Sequence, residues 1–429
     1  MKKIVLLLAL FISGCQSITG RTVPELPELP ELISQEQTHE QFESRKLDTL
    51  KADEKKTPVA LFLPFSGKHK ELGWSLFNAA TLSLFDNDIN HNIELVLFDS
   101  KDDAKEAEKT FARIVDQNIK VVIGPVFSSK IEDIEKQAKR NKITVISLSN
   151  NQELMGKTND EGGVFLAGIL PETQIDKIVG YAMERGKYSF AIIAPKNQYG
   201  QTMTDLLKRI VRDRDGTFIT SEFYNDNYAD IDRAVERVIG SFVVPSRFME
   251  GRNKLKKDAV ITEADKIYPQ VIMIPESGKA LGKIVASMKK QNKDERDFQL
   301  IGSSQWDDIS TLNNFQLIGS WFPAPENEKF RNFERAYYRS FNKFPPRIAS
   351  IVYDMVAAAA QLANRGNGKI LTITDFINFT NPPKNGFEGV DGLFRFLPNG
   401  LTQRNLAVLQ VGNGRFETVD KPTEMFLKY

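Results

Sequence analysis

With Cys15 as its single cysteine, the chain can form no internal disulfide and has no pair of thiolates for a zinc site. Histidine is nearly as scarce: His39, His69 and His91 are scattered, which leaves Cys/His nucleophilic chemistry without a constellation. No His-Glu-x-x-His, Gly-x-Ser-x-Gly or Gly-x-x-x-x-Gly-Lys-[Ser/Thr] pattern occurs, so the commonest metalloprotease, hydrolase and nucleotide-binding signatures are missing. A charge excess is missing too. There are 57 basic and 56 acidic residues, a net charge of +1, whereas a nucleic-acid binder needs a basic surplus. The adjacent carboxylates Asp102–Asp103 and Asp307–Asp308 most simply cap helices or face water. These absences point away from an enzyme and call for no cofactor and no metal.

Also absent is an apolar run long enough to span a bilayer. The run Ile4–Ile12 falls well short of the roughly 20 residues required. Preceded by Lys2-Lys3 and followed by small residues, it reads instead as a secretory signal. Its end, Ile12-Ser13-Gly14-Cys15, resembles the bacterial lipobox, and that resemblance implies lipidation at Cys15 and an anchor as the only contact with membrane. Gln16 in place of aspartate implies, by the Gram-negative sorting rule, the periplasmic face of the outer membrane. Residues 16–56 follow as a tether with Pro-Glu-Leu repeated three times, a composition that favours polyproline II over a core. Such a tether reaches on the order of 120 Å fully extended and about 35 Å as a flexible coil.

From Thr57 onward, short apolar strands alternate with helical periodicity. VALFLPF (59–65), IELVLFDS (93–100), VVIG (121–124) and ITVISL (143–148) are separated by helical segments, the βαβ grammar of a mostly parallel sheet with helices on both faces. After Leu170-Pro171 the grammar restarts with SFAIIA (189–194), TFITSEFY (217–224), VIMI (271–274), FQLIG (298–302) and IGSWF (318–322). The expected organisation is an α/β chain of two lobes, 57–170 and 171–322. Helices at about 327–365 return to the first lobe, and a strand-rich tail, 366–429, packs back on both. A charged insertion, 246–269, interrupts the second lobe; its composition predicts a solvated helix, and its size makes it a candidate docking surface.

In open α/β sheets ligands sit beyond the carboxyl ends of the strands. Here those loops include Gly124-Pro125-Val126-Phe127-Ser128-Ser129, Ser147-Leu148-Ser149-Asn150, Asn197-Gln198-Tyr199-Gly200 and Pro275-Glu276-Ser277-Gly278. Two hydroxyls at a helix start can hold an anion, with Gly124 letting backbone approach, although N-capping is the commoner role of such serines. Trp306, Trp321, Phe387 and Phe394 read as packing residues, and Gly386, Gly389 and Gly392 as turn formers. Arg347 and Asp391 have the residue types for a structural ion pair.

Together, VALFLPFSG, IGPVFSS, ISLSNNQEL, APKNQYG and PESGKAL resemble the type I periplasmic binding proteins for branched-chain amino acids over about residues 57–365. The resemblance implies a two-lobed fold with a ligand cleft. Ser128, Ser129, Ser149 and Asn150 would hold a carboxylate, and Tyr199 and Glu276 would close over it from the second lobe; the pattern departs at Asn150, where the amino-acid receptors carry threonine. A second resemblance lies in the lipobox, the insertion, QWDD (305–308), GSWFPAP (319–325), PPRIA (345–349) and GFEGVDG (386–392). These are similar to the penicillin-binding-protein activator lipoproteins. It implies stimulation of a peptidoglycan synthase by contact, with Glu250, Arg252, Lys254, Lys256 and Lys257 of the insertion as the candidate partner surface. The competing expectation is a receptor that passes an amino acid or similar small anion to an importer.

Overall fold

The structure, a computed structural model, describes residues 56–152, 163–250, 254–257, 259–292, 296–366, 371–380 and 386–426. Cys15, the tether and Arg252 lie outside the described residues. Two α/β lobes are built on the same strand order. In the first, β1 (Thr57–Leu63), β2 (Ile93–Asp99), β3 (Val121–Ile123), β4 (Thr144–Ser147) and β5 (Gly163–Leu166) form an all-parallel sheet in the order β2-β1-β3-β4-β5. In the second, β6 (Ser189–Pro195), β7 (Thr217–Tyr224), β10 (Val271–Ile274), β11 (Gln299–Gly302) and β12 (Trp321–Ala324) repeat that order as β7-β6-β10-β11-β12. The sheet is then extended antiparallel by β16 (Ala407–Val411) and β17 (Phe416–Asp420). Between β7 and β10 lies the small hairpin of β8 (Met249–Glu250) and β9 (Lys254–Leu255). The strands β13 (Phe387–Gly389), β14 (Gly392–Phe396) and β15 (Thr402–Arg404) form a separate three-stranded sheet.

The parallel strands are apolar on both faces because both are covered. In β1, Val59, Leu61 and Leu63 face a core shared with helices Lys70–Asn87 and Ala349–Gly366, while Ala60 and Phe62 face one shared with Ala104–Asp116 and Ile131–Arg140. In β6, Ala191 and Ile193 pack toward helices Ile231–Gly240 and Gly278–Gln291. Phe190, Ile192 and Ala194 pack toward Pro171–Glu184 and Gln198–Asp213. Helix Ala349–Gly366 packs against Lys70–Asn87 through small residues, among them Ala357, Ala360, Ala79 and Ala80, all fully buried. Its Tyr353 carbonyl accepts a hydrogen bond from the Ser83 hydroxyl at 2.7 Å.

Three expectations need correction. β5 escaped the sequence reading; IGSWF is not itself the strand, which begins at Trp321 after a 3₁₀ turn, Phe315–Leu317; and the insertion is not a helix. Its described part is the β8–β9 hairpin flanked by 3₁₀ turns, closed at its base by the Val243–Ile267 bridge and an Arg247–Asp265 ion pair at 2.8 Å. Backbone pairing of Ile267 with Val243, just ahead of the insertion, takes up groups that a helix would have bonded within the segment.

Candidate functional site

Both lobes reverse strand order between their first and third strands, β1/β3 and β6/β10, and the loops beyond those carboxyl ends form the candidate site. On the first lobe, Asp99 at the end of β2 fixes the loop after β1 by accepting the Phe65 N–H at 3.0 Å. Burial pushes Asp99 up, but hydrogen bonds from Ser66 and Lys101 outweigh it and hold the carboxyl below its ordinary value. The loop after β3 begins at Gly124, whose φ is +113°. A Cβ there would lie 2.1 Å from the Phe62 carbonyl oxygen, so this glycine makes room for the neighbouring strand end and not for a ligand.

Ser128 and Ser129 do not cap. Phe127 occupies the cap position, and both serines sit inside the 3₁₀ turn Ser128–Lys130 that leads into helix Ile131–Arg140. Ser128 is half-buried, Ser129 is exposed, and no hydrogen bond of either hydroxyl is found among the described residues. They border a depression of about 460 Å³ with Lys68, His69, Asp102 and Phe127. The His69 and Phe127 rings, 4.6 Å apart between centroids and tilted by 48°, pack against each other on one side of it. Lys130, also on the lining, is almost fully buried with its Nζ donating to the Ser100 carbonyl at 2.8 Å. Burial lowers its pKa while Asp102, Asp99 and Asp103 oppose the shift. Ser149 is buried and its Oγ accepts the Asn151 N–H at 3.1 Å, so it shapes its loop; Asn150 beside it is exposed.

On the second lobe the two residues expected to close over a ligand are engaged with their own neighbours. Glu276 accepts the Tyr224 hydroxyl at 2.5 Å and the Ser277 N–H at 3.0 Å. Its carbonyl accepts the Trp306 indole N–H at 2.8 Å. Burial and then the Glu276 carboxylate raise the Tyr224 pKa. Burial pushes the Tyr199 phenol up to about 12, against hydrogen bonding to Ser303 and Gln305 and with a further push from Glu276. Tyr224, Ser303 and Gln305 were missed in the sequence. The signal was available, since each stands at the carboxyl end of β7 or just after β11, where loop residues converge.

Behind these loops a buried charge cluster joins the lobes. Arg347, ahead of the first-lobe helix Ala349–Gly366, donates to Asp307 of the second lobe at 2.6 Å and to Asp391 of the β13–β14 turn at 2.7 Å. The Arg347–Asp391 pair suggested by residue type is therefore present. Asp307 neither caps a helix nor faces water; of the two carboxylate pairs, Asp103 and Asp308 are the caps. Asp354 accepts the backbone N–H groups of Val390 and Asp391 at 2.6 and 3.2 Å and lies 3.8 Å from the buried Arg404 guanidinium. Three carboxylates against two guanidiniums leave one negative charge in excess, and burial answers by raising Asp354. Gly389 has no turn role here: a Cβ would meet the Asp354 carboxylate at 2.4 Å, whereas Gly392 does take a left-handed φ of +77°. Trp306, Trp321, Phe387 and Phe394 are buried packing residues.

On the insertion, Glu250 and Lys254 are cross-strand partners, and Lys256 and Lys257 follow; all four are exposed, as is Leu255. Among the described residues no group of His, Cys, Asp or Glu is arranged to hold a metal ion, and no helix is long and apolar enough to cross a membrane.

A model of the periplasmic binding protein family matches residues 56–415. A Rickettsia prowazekii protein without assigned function, RP748, is 24% identical over 376 residues, which is 86% of this chain and 90% of that protein. The penicillin-binding protein activator LpoA of Photobacterium profundum is 24% identical over 148 residues, 34% of this chain and 23% of that protein. Among solved structures, one from Rhodospirillum rubrum assigned to a branched-chain amino acid ABC transporter superposes with a TM-score of 0.68 at 17% identity, covering 85% of this chain and all of that one.

Proposed function

The chain belongs to the periplasmic binding protein family, and from that premise we propose that it is a non-enzymatic lipoprotein that activates a peptidoglycan synthase by contact. In this reading Cys15 carries the lipid at the periplasmic face of the outer membrane, and the tether lets the two-lobed body reach its partner. The observation that carries the proposal is the state of Glu276. A solute receptor's second lobe must offer its polar groups to the ligand, yet here the Glu276 carboxylate is held by Tyr224 and Ser277. The exposed hairpin with Lys254, Lys256 and Lys257 supplies a surface for a protein partner, and the partial likeness to an activator supports the same direction.

The second reading, a receptor for an amino acid or related small anion, is favoured by one specific feature. Ser128 and Ser129 present their hydroxyls beside Lys68 in a depression of ligand size. One experiment separates the two. The full lipoprotein, tagged at its C-terminus, is crosslinked in its own cells and its partners are identified by mass spectrometry, alongside a variant with Glu250, Arg252, Lys254, Lys256 and Lys257 reversed in charge. The proposal expects a bifunctional wall synthase that disappears with the charge reversal and persists in Ser128→Ala and Glu276→Ala. Recovery of importer subunits instead would overturn it.

A further inference from the structure

The flank of the first lobe carries a second, open pocket of about 450 Å³, lined by helices Lys70–Asn87, Asn327–Phe341 and Ala349–Gly366 and by β13. It lies away from the strand-end loops. Helix Lys70–Asn87 begins beside them, and Leu82–Asn87 on the cavity wall are roughly 20–25 Å further along its axis at ~1.5 Å per residue. The walls are aromatic: the Phe333 and Tyr353 rings pack edge-on with centroids 5.2 Å apart, and Phe387 stands on the β13 side.

The charged groups on the lining lean one way. Asp86 and Glu388 are exposed and Asp354 is buried; Lys329, the lining cation among the described residues, is already paired with Glu388. Asp354 has Arg404 behind it at 3.8 Å, whereas the bond found for Asp86 is a neutral one, from the Tyr353 hydroxyl at 2.8 Å. Asp86 also stands in the last turn of its helix, where the backbone carbonyls already present negative charge, and no basic residue occupies that turn. A carboxylate there is of the wrong sign for the helix and the right sign for a cation from outside. Aromatic walls below an acidic mouth are the chemistry that recognises an organic ammonium, its stem against the rings and its head at the carboxylates.

We infer that this cavity is a second binding site, for a small primary alkylamine or diamine, independent of the strand-end cleft and of the protein contact proposed above. The test is calorimetric titration of the purified full chain with 1-aminopentane, with pentanoate and 1-pentanol as matched probes. The amine is expected to bind about tenfold or more tightly than either control. Asp86→Asn and Glu388→Gln, both at exposed positions, should each weaken it several-fold without shifting the thermal midpoint, and Ser128→Ala should leave it unchanged. Equal binding of amine and pentanoate, indifference to both carboxylate variants, or absence of heat at about 10 mM amine overturns the inference. Loss of amine binding in Ser128→Ala would move the ligand to the cleft and overturn it equally.

Discussion

Asp354 concentrates the electrostatic problem of the lobe junction in one side chain. Its carboxyl is raised from 3.8 to about 7 by burial first and by Asp391 second, against Arg404 and two backbone N–H groups. A raised acid keeps its proton in the folded chain at a pH where the unfolded chain has released it, so stability falls as pH rises through that window, by up to about 1.4 kcal/mol per unit. Below the unfolded value the group contributes nothing, and above the folded one the full loss remains. The expected outcome is that urea unfolding between pH 4.5 and 7.5 shows the wild type losing a few kcal/mol relative to Asp354→Asn; parallel profiles would remove Asp354 as the source. Trp306 poses the opposite case, a fully buried neutral group with its one donor satisfied by the Glu276 carbonyl. Trp306→Phe should cost about 1–3 kcal/mol in the same assay, because it orphans that carbonyl as well as leaving space.

At the scale of strands and helices, most of the fold was legible because the parallel strands are covered on both faces. VIMI is the strand β10 residue for residue, since a continuous apolar run bounded by turn residues has few other uses, and the half-buried edge strand β7 matches TFITSEFY through its β-branched and aromatic residues. GVFL, the strand β5, was missed because its four residues stand alone after a polar stretch, and its place comes from pairing with β4. The insertion was misread for a related reason: charge reports exposure, not backbone conformation. At the site, residue type placed Ser128, Tyr199 and Glu276 at strand ends, but which hydroxyl answers which carboxylate depends on strand order, so Tyr224 could not be matched to Glu276 from spacing alone. Glycines sort by the same logic. Gly124→Ala forces a Cβ against the Phe62 carbonyl, while Gly278→Ala at φ +56° meets open space. Thermal unfolding should therefore register a loss of at least about 3 kcal/mol for the first and about 1 kcal/mol for the second. Similar losses at both would mean that crowding at Gly124 is relieved by movement of β1.

For the molecule as a whole, the consequential contact is Arg347, which holds Asp307 of one lobe and Asp391 beside the other. Removing Arg347 leaves Asp307 and Asp391 buried without the cation that pairs with both, although Asp391 keeps the Ser350 hydroxyl at 2.9 Å, a change of roughly 3–5 kcal/mol. Arg347→Met is expected to lower the thermal midpoint and to raise the radius of gyration in solution scattering as the lobes separate; an unchanged radius would mean that the three chain crossings between the lobes, after Leu166, Ala324 and Arg404, alone set the lobe angle. Asp307→Asn, which keeps a hydrogen-bond acceptor for Arg347, should show a smaller change in both. The same crossings bear on how the protein is made. The core of the first lobe takes in residues as late as Phe396, and β16, which covers the edge of β12 in the second, begins at Ala407. Neither lobe is finished until the chain has been synthesised past Phe396 and Ala407. From the synthesis of Ala324 until β16 emerges, the edge Trp321–Ala324 stands uncovered, a strand that any passing chain could pair with. The interval between synthesis of Ala324 and arrival of Ala407 is thus when the unfinished second lobe is most open to mispairing and cleavage.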